Sequence, residues 1–83
     1  MTILQMSGNH RKWIRKLHQR KSREKEGAFI AEGFNALEAA IKTTCHPVVE
    51  VATDTAHLES VVRILPDDIP VYECSGSMME DIS

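Results

Sequence analysis

From Gly27 onward the apolar residues switch between a two-residue and a 3.6-residue period, and that alternation constrains the fold more than any other feature of the chain. Residues 28–32 read as a short strand with Phe29 and Ile30 as its apolar content. Phe34, Leu37 and Ile41 then recur at helical spacing, among the helix formers Ala36, Ala39 and Ala40. After Pro47 the β-branched run over residues 48–53 predicts a second strand. Asp54 or Thr55 can cap a helix in which Leu58, Val61, Val62 and Leu65 fall at i, i+3, i+4 and i+7. Pro66 stops that helix, Asp67 and Asp68 fill a turn, and residues 69–74 supply a third strand. Ser75 or Ser77 caps a last helix bearing Met78, Met79 and Ile82.

Strands alternating with helices predict an α/β domain, a small three-layer α/β/α sandwich. The expected core is Phe29, Ile30, Leu37, Ile41, Val49, Val51, Leu58, Val61, Val62, Leu65, Val71 and Met79, the residues that share the inward side of their elements by period. Three strands make a thin sheet, and the final helix is cut at Ser83, so the expectation is a piece of a longer protein whose last strand is missing.

Ahead of this region lies a different kind of segment. Residues 10–27 hold Arg11, Lys12, Arg15, Lys16, Arg20, Lys21, Arg23 and Lys25 against only Glu24 and Glu26, a formal charge of +6. The rest of the chain sums to −8, so a net charge of −2 hides one strongly basic end. A salt-bridged helix face alternates both signs, whereas this one does not. The excess favours a polyanionic partner, nucleic acid above all, over a merely solvated face. Asn9 is the expected N-cap of a helix running to Lys21 or Arg23, with Trp13, Ile14 and Leu17 as a narrow docking stripe. Trp13 is expected in the core rather than as a base-stacking platform. His10 and His18 sit in the basic helix, where phosphate contact is the expected role.

Other chemistry finds little support. Gly8, Gly27, Gly33 and Gly76 never approach a phosphate-cradling spacing. Cys45, His46, His57 and Cys74 lack the paired spacing of a zinc site, so no metal is expected. No Ser/His/Asp or Cys/His arrangement is supported by spacing. No apolar run nears the roughly 20 residues of a membrane span. The first residues do not form a secretory signal, and two cysteines give no disulfide framework, so a cytoplasmic location is the expectation. Glu32, beside Gly33, is the one carboxylate expected at a strand end, there to cap the next helix or pair with the basic segment.

Residues 9–33, NHRKWIRKLHQRKSREKEGAFIAEG, resemble the opening of the SpoU/TrmH family of RNA 2′-O-ribose methyltransferases. The match to the family pattern Arg-Lys-x-Arg-x-x-x-Gly-x-Phe-x-x-Glu-Gly comprises Arg20, Lys21, Arg23, Gly27, Phe29, Glu32 and Gly33. Leu37, Glu38, Ala39 and the later strand–helix alternation follow the family order, and His10 stands where the family often has proline. The resemblance implies a basic arm and helix over residues 1–26. It implies an RNA-binding α/β domain, like that of ribosomal and kink-turn proteins, over 27–83. It further implies that a knotted domain, which binds S-adenosylmethionine and carries catalysis in the family, is expected outside this chain. On this reading the segment has no cofactor and no catalytic residue of its own. It supplies RNA contact through Arg11, Lys12, Arg15, Lys16, Arg20, Lys21, Arg23, Lys25 and Glu32, with Arg20 and Arg23 able to add bidentate contacts. The partner is structured ribosomal or transfer RNA, and the parent is expected to dimerise through the missing domain. The rivals are a stand-alone ribosomal or kink-turn-type RNA-binding protein and a protein-interaction module with a basic helix.

Overall fold

The computed structural model describes residues 3–43 and 47–83. Three parallel strands, β1 (Ile3–Gln5), β2 (Val51–Asp54) and β3 (Val71–Cys74), form one sheet in the order β1-β3-β2. In register, Ile3 and Val51 both flank Val71, and Leu4 and Ala52 flank Tyr72. The central strand is thus covered on both edges, and Val71 is fully buried.

Side chains alternate along the strands, so each face of the sheet gathers its own helices. Val71 and Val51 meet Val61, Leu65 and Leu58 of α4 (Leu58–Ile64) and its end, with Leu37 and Ile41 of α3 (Phe34–Lys42) beside them. On the other face Cys74, Tyr72 and Ala52 meet Met6, Ile14 of α1 (Gly8–Lys16) and Met78, Met79 and Ile82 of α5 (Gly76–Ile82). The expected three-layer α/β arrangement is present.

The first strand is not where the pattern put it. Residues 28–32 are irregular, and Phe29 is 58% exposed. The edge of β3 is taken instead by Ile3–Gln5, whose three residues show too little pattern to stand out in sequence. Val49, also expected in the core, is 70% exposed because it precedes β2. Met6, Leu17, Cys74 and Ile82 are buried in its place.

The basic helix is two helices. Ser7, not Asn9, caps α1, its hydroxyl accepting from the His10 amide at 3.1 Å. After Lys16 the amides of Leu17, His18 and Gln19 each bond three residues back, to Ile14, Arg15 and Lys16, which tightens and ends the turn. Gln19 is extended, and α2 (Arg20–Glu26) starts afresh. Leu17 is buried whereas the α2 sequence RKSREKE has no apolar side chain to bury. Nothing therefore holds α2 on the axis of α1. Gly27 closes α2 in the left-handed region, φ 65°, where a side chain is strained. Neither Asp54 nor Thr55 caps α4, whose N-cap is His57 without a side-chain cap bond. Asp54 Oδ1 accepts from the His57 amide at 2.9 Å in the turn before the helix, whereas Ser75 does cap α5, accepting from Met78 at 3.2 Å.

Candidate nucleic-acid interface

On α1 the stripe of Ile14 and Leu17 faces the core, so the residues between are sorted by angle. Arg11 and Arg15 lie on the flank toward α5, where both meet Asp81: Arg11 Nε is 3.3 Å and Arg15 Nη1 3.9 Å from its carboxylate. The Arg11 contact is an ion pair without a hydrogen bond. Lys12 and Lys16, four apart, are exposed.

On α2, Arg20 pairs with Glu24 at 3.0 Å, with both side chains mostly in water. Arg23 is half-buried, and its Nη1 donates to the main-chain oxygens of Leu17 (3.1 Å) and His18 (2.8 Å). Those are carbonyls released where α1 ends, so this guanidinium braces the junction of the two helices. Lys21 and Lys25 are exposed at i, i+4 spacing. Among the described residues none of Lys12, Lys16, Lys21 and Lys25 has an ion pair. Four of the eight basic side chains are thus unneutralised on the surface, while the four arginines are engaged within the fold.

The two histidines of this segment each make a contact within the fold, His10 partly buried and His18 exposed. His10 Nε2 lies 2.7 Å from Glu50 Oε1, and its ring stacks on Tyr72 with centroids 4.6 Å apart. His18 Nε2 lies 2.8 Å from the Ile82 oxygen, tying the end of α1 to the end of α5. Packing of the docking stripe thus brings Nε2 of each ring to a polar group of the neighbouring layer. Trp13 packs, partly buried, against the same cluster, 5.5 Å from the His10 ring.

Glu32 neither caps α3 nor forms an ion pair among the described residues. With residues 28–33 irregular, it lines an open cleft of about 280 Å³ with Leu17, His18, Arg23, Phe29 and Ile30. A second cleft of about 430 Å³ adjoins it, lined by Arg20, Arg23, Glu24, Gly27, Ala28 and Phe29. Gly33, at φ 98°, turns the chain from this corner into α3. Sequence periodicity assigned Phe29 to the core, and only its place in the Arg20–Gly33 motif marked it for anything else.

Elsewhere the described residues hold no group of His, Cys, Asp and Glu placed for a metal ion. Cys45 and His46, weighed as ligands, lie outside the described residues. Cys74 is buried, and its thiol is pushed up by burial and then by Glu73. Among the described residues no helix is long and apolar enough to cross a membrane.

Residues 9–83 match the family model of the MRM3-like substrate-binding domain. The chain belongs to that family. It is the substrate-binding domain of a SpoU-family RNA methyltransferase, which gives the exposed basic segment its context. No curated protein and no solved structure matches the chain.

Proposed function

We propose that this MRM3-like substrate-binding domain holds structured ribosomal or transfer RNA for an S-adenosylmethionine-dependent 2′-O-ribose methyltransferase. The observation that carries the reading is the set of four exposed, unpaired lysines, Lys12, Lys16, Lys21 and Lys25, on two short consecutive helices. Lysine is a compact point charge on a flexible stem, suited to phosphates whose positions vary with the RNA. Each neutralised phosphate releases counterions, which supplies affinity without reading sequence. A-form RNA offers mainly shape, phosphates and 2′-hydroxyls to such a surface.

The domain provides affinity and register, and a separate domain binds the methyl donor and performs transfer. The clefts of this chain suit that division. Both are open, one lined by Arg23 with Glu32 and the other by Arg20 and Arg23 with Glu24, surfaces that suit contact with a polar partner. The reading also places the protein in the cytoplasm, in a parent enzyme that dimerises through its other domain.

A titration of a fluorescent RNA hairpin at three salt concentrations tests the reading. With about four phosphate contacts, log K against log salt has an expected slope of roughly −3 to −4. A slope near zero overturns it.

A further inference from the structure

Both open clefts share Arg23 and Phe29, at the corner between α2 and residues 28–33. Three features meet there, two of which do not suit a duplex backbone and one of which binds phosphate. Phe29 leaves 58% of its surface in water beside the charged groups. Glu32, a carboxylate in the same cleft as Arg23, repels a phosphate rather than binding one. Arg23 is anchored through Nη1 alone, and among the described residues its Nε–H and Nη2–H edge has no partner. That edge is a two-donor fork already held in place, the geometry that grips a phosphate bidentately.

An aromatic ring, an acceptor pair and a cationic fork together fit one unpaired nucleotide. The ring offers a stacking surface, which is how proteins take bases splayed from loops. The carboxylate needs paired N–H donors, and guanine presents adjacent ones, N1–H and the N2 amino group, on its Watson–Crick edge. The fork holds the nucleotide's phosphate. Arg20 adds charge at small cost, since its solvent-exposed pair with Glu24 is readily exchanged.

Resting on the RNA-substrate reading, we propose that this corner captures an unpaired guanine of the RNA: the base stacks on Phe29, Glu32 accepts from its N–H edge, and Arg23 holds its phosphate. The lysines then supply sequence-independent affinity, and this corner selects a looped-out base.

The test uses the full 83-residue chain and three RNAs: a hairpin with one unpaired guanine, the same hairpin with adenine there, and a fully paired duplex of equal length. Fluorescence anisotropy at fixed salt reads each affinity. The guanine hairpin is expected to bind about tenfold more tightly than the adenine one, since a correct bidentate contact is worth that much. Phe29→Ala is expected to lose about tenfold on the guanine hairpin and nothing on the duplex, while Phe29→Tyr keeps the ring and the affinity. Glu32→Gln is expected to shrink the guanine-over-adenine preference. Phe29 lies outside the core, and a dispersed amide NMR spectrum checks that each variant is folded. Equal loss on hairpin and duplex, or no guanine preference in the parent chain, overturns the inference while leaving salt-dependent RNA binding intact. Absence of salt-dependent binding overturns both.

Discussion

The guanidinium of Arg23 donates to the main-chain oxygen of His18 over 2.8 Å, five residues back across the break between two helices. A side chain chosen from the sequence for phosphate contact thereby also fixes the angle at which α2 leaves α1. Arg23→Ala removes the donor from two carbonyls at once. The expected cost is about 1–2 kcal/mol, at the scale of charged hydrogen bonds partly open to water. Urea unfolding checks the value, and faster amide exchange confined to residues 20–26 checks the place. Unchanged exchange there means the brace is dispensable.

The exposed lysines are expected to carry the salt dependence. Lys21→Gln with Lys25→Gln should flatten the slope of log K against log salt by roughly 1.4–1.8, at about 0.7–0.9 per phosphate. Arg11→Gln with Arg15→Gln should flatten it less, because Asp81 already faces both arginines. Equal effects of the two pairs, read by anisotropy, would place the RNA across α1 and α5 instead.

Burial separates residues that periodicity had grouped. Leu65, 7% exposed, packs with Val61 and Val71, and Leu65→Ala is expected to cost about 2–4 kcal/mol. Val49, 70% exposed, was assigned to the same core, and Val49→Ala is expected to stay within about 0.5 kcal/mol. Denaturant midpoints at constant slope decide both.

Acid should loosen the start of α4. Hydrogen bonds from the His57 side chain and then its amide hold the Asp54 carboxyl below its ordinary 3.8. A depressed native pKa contributes stability above the unfolded value, and that contribution is lost as pH falls through the native one. The window therefore lies below about pH 4. Carbon-13 NMR of the carboxyl should show Asp54 titrating below 3.8 in the parent chain and nearer that value in His57→Ala. An identical midpoint in both would reassign the depression to another group.

The sequence by itself determined the layered α/β class, because elements that bury one face announce it through local period: Leu58 and Val61 on α4 with Leu65 at its end, and Val71 to Cys74 as a strand. It also placed the basic segment, since charge is read residue by residue. Competition for a shared surface was decided only in three dimensions. Residues 28–32 carry a plausible strand pattern, yet the edge of β3 has room for one partner, and Ile3–Gln5 holds it. That exchange leaves Phe29 beside Arg23 and Glu32 at the surface. The division of labour between arginines and lysines was hidden for the same reason. Asp81, Leu17 and His18 reach Arg11, Arg15 and Arg23 only through packing and the helix break, leaving the lysines unpaired. Composition counts a cation, and tertiary structure decides whether its charge is still available to a partner.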